Sequence, residues 1–358
     1  MADHHMHAHD HDHDGCGHDH GPAANPVCVE VTRGGTVESV HRGSAAAVDA
    51  EGGAMLAWGD VETPVYPRSA VKPLQALPFV ESGAADSCTD AEIALACASH
   101  SGTPAHVAAV TAWLARLGLG PDALECGPRW PLDEADMRAL ARAGGDASVL
   151  HNNCSGKHAA MLATALARGE PAGGYIGAAH PVQQRVRGVL EQVCGRVLRD
   201  APTGIDGCGI PVIGIPLGHL AFGFARLVAP DELPPERARA ARRIVAAMQA
   251  HPEMVAGPGR YDTEVMRAAG GRVIVKGGAE GVFCAALPEF GIGIALKCDD
   301  GSKRGAEAML TAILAQLGAL DAGIAAAVAG RLSVPVESAA GAAVGEIRPA
   351  AWLTDPQA

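Results

Sequence analysis

A mixed α/β fold of the α+β kind, with antiparallel sheets flanked and covered by helices, is what the sequence predicts, on three observations. Short β-forming runs follow one another from Val27 to Trp58 with no helical period, broken by Gly34-Gly35 and by Asp49-Ala50-Glu51-Gly52-Gly53. Long apolar segments with helical spacing come only after them. A second group of strand-like runs, Arg272–Lys276, Val282–Leu287 and Gly291–Lys297, then precedes a closing helix, Ser302–Leu317. Strands that arrive in consecutive groups pair as meanders and hairpins, which are antiparallel.

Each element has a local reason. Val27–Thr32, Val37–His41, Ala45–Asp49 and Met55–Trp58 read as short strands, with residues 49–53 as a hairpin turn. Thr89–Ala98 reads as a helix because Thr89 and Glu92 form a capping box. It delivers Cys97-Ala98-Ser99-His100-Ser101-Gly102 into a loop. Helices over Pro104–Leu117, Ala159–Ala167, Val182–Cys194 and Leu233–Ala250 follow from apolar periodicity. Pro128-Arg129-Trp130-Pro131-Leu132 reads as an exposed connection, Gly204–Pro211 as a glycine-rich loop, and residues 251–263 as a loop whose glycines allow close approach to a ligand.

At 358 residues and 48% hydrophobic the chain has ample material for a core, and no internal repeat or Gly/Ser linker divides residues 23–358, so they are read as one catalytic domain. A formal charge of −12 argues against nucleic acid and against anionic membrane surfaces as partners. No apolar run approaches a membrane span, and the N-terminus lacks the basic and apolar regions of a signal peptide. Ten cysteines scattered through a chain of this size then imply reduced thiols and a cytoplasmic location. Residues 1–22 stand apart: they hold eight of the sixteen histidines, interleaved with aspartates. With no core-forming residue this tail is expected to be disordered, and its imidazoles, aspartates and Cys16 to hold extra Zn²⁺ or Ni²⁺ weakly.

Chemistry concentrates first at Pro67-Arg68-Ser69-Ala70-Val71-Lys72-Pro73, where Ser69 and Lys72 form a Ser-x-x-Lys tetrad at a helix start. Three-residue spacing puts both side chains on one face, and a lysine pushed towards neutrality by burial can take a serine's proton. Read plainly, the same residues are a capping serine and a surface lysine. Ser99-His100-Ser101 and Lys276-Gly277-Gly278 follow in the order in which serine β-lactamases and penicillin-binding enzymes carry a loop serine and a strand-end lysine. Two Ser–Lys pairs would then flank one acyl site. Cys154 and Lys157 sit three apart at another helix start, and Cys208 lies in a glycine-rich loop. Two thiolates and a third donor would make an open zinc site; two buried core thiols are the plain alternative.

The segments Arg68–Gln75, Ala98-Ser99-His100, Asn153-Cys154-Ser155-Gly156-Lys157-His158, Asp206-Gly207-Cys208-Gly209-Ile210-Pro211 and His251-Pro252 through Arg260-Tyr261 resemble the L-asparaginase II family, the serine-nucleophile, zinc-containing asparaginases. The resemblance spans about residues 27–348. It implies a β-lactamase/glutaminase-like fold and a homodimer that hydrolyses L-asparagine to L-aspartate and ammonia. By the same resemblance Ser69 and Lys72 are catalytic, Ser99 and Lys276 form the second tandem, and Cys154, Lys157 and Cys208 hold Zn²⁺. Arg68 and Asp206 line the substrate pocket, joined by Gly259 and Arg260 of the glycine loop. Asp262 stands where some members carry a cysteine. The resulting expectation is a cytoplasmic amidohydrolase working through an acyl-enzyme. A glutaminase or a β-lactam or peptide hydrolase on the same fold, and a metal-storage protein built on the His-rich tail, are the rival readings.

Overall fold

The β-forming runs from the two ends of the chain meet in one eight-stranded antiparallel sheet. The computed structural model describes residues 24–320 and 322–354, so the tail 1–22 and its expected disorder and metal binding lie outside the described residues. The strands are β1 (Val27–Arg33), β2 (Thr36–Val48), β3 (Ala54–Trp58), β4 (Thr203–Ile205), β5 (Pro211–Ile213), β6 (Ile274–Gly277), β7 (Val282–Leu287), β8 (Ile292–Cys298), β9 (Val334–Glu337) and β10 (Ala343–Pro349). The sheet runs β6-β7-β8-β2-β1-β10-β9, with β3 beside β2, and β4–β5 make a separate hairpin.

The runs Val37–His41 and Ala45–Asp49, expected as two strands, are one long strand, β2. Its first half pairs with β1, and its second half lies between β8 and β3. Gly43, which reads as a break, serves close packing: a Cβ there would meet the Lys297 carbonyl and stand 2.7 Å from the Met309 methyl. The hairpin turn at 49–53 forms as expected, closed by Asp49, whose carboxylate accepts the N–H groups of Glu51 and Gly53.

The helices are α1 (Lys72–Gln75), α2 (Leu77–Glu81), α3 (Asp90–Ala96), α4 (Pro104–Arg116), α5 (Glu134–Arg142), α6 (Ser155–Ala167), α7 (Pro181–Val193), α8 (Leu217–Val228), α9 (Pro235–Ala250), α10 (Pro252–Val255), α11 (Tyr261–Ala269), α12 (Lys303–Gln316), α13 (Ala322–Leu332) and α14 (Ala351–Thr354). The Thr89–Glu92 capping box is present at the head of α3. Two helices show how the sheet is covered. A Cβ on Gly293 would run into the backbone of Ala221 and Ala225 in α8, while Cys298 touches Gly305 of α12. Residues five apart on a strand face opposite sides. Helices α8 and α12 therefore cover the two faces of β8, and the main core lies on both sides of the sheet.

Helix α8 and the strands β9 and β10 are additions to the sequence expectation. Helix α8 buries its Leu217, Leu220, Phe224 and Leu227 face and leaves His219 and Arg226 on its half-exposed side. Strand β10 is short on apolar residues because it lies at the margin, between β1 and the edge strand β9. Among the described residues no helix is long and apolar enough to cross a membrane, and the nine described cysteines are free thiols.

Candidate active site

Ser69 lies in a 3₁₀ turn, Arg68–Val71, that runs straight into α1. Pro73 fits there because the second position of a helix needs no N–H donor. Arg68 has φ of +51°, the left-handed region that costs a non-glycine residue about 1–2 kcal/mol. The unusual backbone aims its side chain at Asp206, whose Oδ1 accepts the Arg68 Nε–H at 2.8 Å. Burial raises the Asp206 carboxyl, but Lys157, Arg68 and the Gly207 N–H outweigh it and leave it below the usual carboxylate range. Gly278 braces the turn from below, since a Cβ there would stand 2.8 Å from the Pro67 carbonyl oxygen and 3.1 Å from the Ala70 nitrogen.

Lys72 is fully buried one helical turn on from Ser69. Its amine donates to the Ala98 carbonyl at 2.5 Å and the Asn153 carbonyl at 3.4 Å, and lies 3.2 Å from the Cys154 sulfur. Burial lowers its basicity. Among the described residues the Ser69 hydroxyl makes no hydrogen bond, to Lys72 or otherwise.

The loop after α3 is held like a strand. Ser99 and Ser101 donate their N–H groups to Val255 and Ala256, and His100 donates to Asn153. The Ser99 hydroxyl accepts from Asn153 Nδ2 at 2.8 Å, and Asn153 Oδ1 accepts from Arg129 at 3.0 Å. The Gly102 N–H donates to His100 Nδ1, so the ring proton sits on Nε2, which donates to Ser155 Oγ at 2.9 Å. Lys276, at the end of β6, makes no hydrogen bond with Ser99; its partners are the Gly277 carbonyl at 2.6 Å and Asp262 at 3.6 Å. Gly259 and Arg260 lie at the head of α11, and Arg260 reaches Ser101 at 3.4 Å, away from the residues that line the Ser69 cavity.

Cys154, Lys157 and Cys208 converge. Lys157 Nζ lies 3.0 Å from the Cys208 sulfur, and Lys72 Nζ lies 3.2 Å from the Cys154 sulfur. The Cys208 side chain, with Lys72 and Lys157 nearby, favours the charged form of Cys154 and holds its thiol well below the ordinary range. Cys208 is pushed up by the neighbouring Cys154 and by burial. Burial alone would discharge Lys157, yet the two sulfurs keep it an ammonium. Two sulfurs and an amine already in mutual contact fit a zinc ion chemically. Sulfur is the donor zinc favours, and lysine joins once a dication displaces its proton.

Ser69, Arg68, Cys154, Asp206 and Cys208 line one cavity of about 200 Å³. Gly207 and Ala279 share its wall with Arg129, Asn152, Asn153 and Glu280, four residues to which the sequence reading gave no role. Arg129 belongs to the stretch read as an exposed connection; a backbone bridge to Ser148 folds it back over Asn153. The one available signal was Asn152-Asn153 directly ahead of Cys154, paired amides beside a thiol at a helix start.

The family model described as L-asparaginase II matches residues 29–349. The chain belongs to the L-asparaginase II family. Membership makes it one of a family of amidohydrolases. No curated protein matches it. Among solved structures, the native form of Mglu is 14% identical with a TM-score of 0.39, over 74% of this chain and 57% of that one. A β-lactamase from Mycobacterium bovis is 16% identical with a TM-score of 0.39, over 76% of this chain and 94% of that one. Both likenesses are weak, and the family assignment rests on the sequence match.

The family match leaves a second cluster, His41, Cys298 and Asp300, unexplained. Its atoms are already paired: Asp300 accepts from His41 Nδ1 at 2.6 Å and from Cys298 at 3.1 Å, and Arg304 donates to His41 Nε2 at 3.1 Å. The arginine sits where a cation would meet repulsion, so the cluster ties β2 and β8 to α12.

Proposed function

We propose that this member of the L-asparaginase II family hydrolyses the side-chain amide of L-asparagine to L-aspartate and ammonia through an acyl-enzyme on Ser69. The observation that carries the reading is the charge pattern of the Ser69 cavity, where Arg68 and Arg129 stand with Asp206 and Glu280 around one small polar space. A free amino acid brings one carboxylate and one ammonium, and such a wall offers a partner to each. Neither the Ser69 nor the Ala279 backbone N–H has a hydrogen-bond partner among the described residues, and both residues line the cavity. The two donors are available for the oxyanion that forms when Ser69 attacks.

In this mechanism Lys72 takes the Ser69 proton as the hydroxyl oxygen bonds to the amide carbon. The C–N bond breaks as the Ser99–Lys276 pair delivers a proton to the departing nitrogen; the pair then takes a proton from the water that attacks the ester, and Lys72 returns its proton to the Ser69 oxygen as the ester C–O bond breaks. Cys154, Lys157 and Cys208 would hold Zn²⁺, which when bound supplies a Lewis acid beside the substrate. The test is ammonia release from asparagine, glutamine, simple primary amides and a chromogenic β-lactam, with Ser69→Ala as control. Release from asparagine above the others, lost in the control, supports the reading. Turnover of glutamine or the β-lactam in its place assigns the site to a same-fold rival.

A further inference from the structure

Asp262 and Lys276 form an ion pair with both side chains 1% exposed. Asp262 stands in the first turn of α11, where the helix's N–H end favours a carboxylate. Its Oδ1 accepts the Gly277 N–H at 2.6 Å and lies 3.6 Å from Lys276 Nζ. Its Oδ2 is buried with no partner among the described residues, so this carboxylate depends on the ammonium beside it. Gly277 is followed by Gly278, the residue packed under the Ser69 turn. One carboxylate oxygen thus touches both the lysine and the backbone that supports the nucleophile.

We propose that Asp262 is the positioning residue of the second Ser–Lys pair, holding Lys276 as an ammonium at the end of β6 and fixing the Gly277–Gly278 backbone against the turn that carries Ser69. The inference rests on the reading of Lys276 as the proton donor to the departing nitrogen. The groups that bear on Lys276 are Asp262 from α11, Arg260 at its head, Lys72 from α1, Cys154 ahead of α6, Cys97 after α3 and Cys284 across on β7. Burial brings Lys276 down to about 8, Asp262 opposes that fall, and Lys72 and Arg260 add to it. Without the carboxylate, the lysine would lose its proton in the pH range where it is needed.

Asp262→Asn separates charge from position, since its amide oxygen still accepts the Gly277 N–H. The chain has five lysines, Lys72, Lys157, Lys276, Lys297 and Lys303, so side-chain ¹⁵N signals of lysine-labelled protein can be followed one by one, with Lys276→Met assigning the signal. In the unsubstituted protein Lys276 should titrate near 8. In Asp262→Asn its midpoint should fall by about one to three units, the usual effect of losing an opposite charge at this range. The alkaline limb of ammonia release should move with it, lowering turnover at pH 8 by about fivefold or more. A midpoint unmoved in Asp262→Asn overturns the proposal. So does a wild-type midpoint at the ordinary lysine value, a measurement that needs no variant to fold. A midpoint that moves while the alkaline limb stays fixed supports the hold of Asp262 on Lys276 and overturns Lys276 as the proton donor.

Discussion

The amine of Lys72 lies 3.2 Å from the sulfur of Cys154, so the lysine paired by spacing with Ser69 also touches the thiol pair. Two expectations separate the thiols. Cys154→Ala removes a contact that helps to place Lys72 and should lower the maximal rate as well as weaken substrate binding. Cys208→Ser touches Lys157 instead, and should act chiefly on the substrate concentration for half-maximal rate. Steady-state constants for both variants, with bound metal measured alongside, decide the point. Equal losses of maximal rate would show that the Lys72–Cys154 contact carries no catalytic weight.

The Arg68–Asp206 pair gives a second prediction. Asp206→Asn removes the charge beside the Arg68 guanidinium and should raise the half-saturating asparagine concentration by about tenfold to a hundredfold, the worth of a charged hydrogen bond. Succinamic acid, which lacks the α-ammonium, should be bound almost equally by both forms if Asp206 recognises that group. A parallel loss for the two substrates would mean that Asp206 acts only through Arg68.

Residue types and spacings disclosed the antiparallel strands, the α3 capping box and the three-residue pairs, because each is a local device. What they did not disclose depends on contacts across the chain. Arg129 is exposed, as its stretch reads, but the bridge between residues 129 and 148 also carries it to Asn153 at the cavity rim. Asp262 comes beside Lys276 only because the fold sets the head of α11 against β6. Helix α8 carries only His219 and Arg226 as polar side chains on its half-exposed side, and the apolar Phe222 between them dilutes the pattern.

His100 and His106 stack face to face, 4.8 Å between ring centroids, and both are buried. Burial holds His100 well below the ordinary histidine range, helped by the neighbouring His106 and Lys72, and lowers His106 as well. Below about pH 6.5 the unfolded chain binds protons that the folded pair refuses, so the stability these neutral rings contribute is complete above that pH and lost as pH falls. Urea midpoints should therefore drop between pH 7 and pH 5. His106→Gln should flatten that slope. A midpoint level across this range would show that the pair is not held neutral.

The last prediction concerns the His-rich segment. Asn25 is where the described chain becomes tied down: its Oδ1 accepts the Asp60 N–H at 2.7 Å, its Nδ2 donates to Asp299 at 2.9 Å, and its carbonyl accepts from Arg42 at 2.8 Å. Deleting residues 1–22 leaves these bonds in place and should change ammonia release by less than about twofold, while removing the loosely bound Zn²⁺ or Ni²⁺. Extending the deletion through Asn25 takes it away from Asp60, Asp299 and Arg42, and should lower the thermal midpoint because three hydrogen bonds worth about 1 kcal/mol each go with it. Activity, metal content and melting of the two truncations are the measurements. If the shorter deletion costs most of the activity with zinc kept in excess, the tail belongs to the catalytic unit; if only the longer one does, its dependence begins at Asn25.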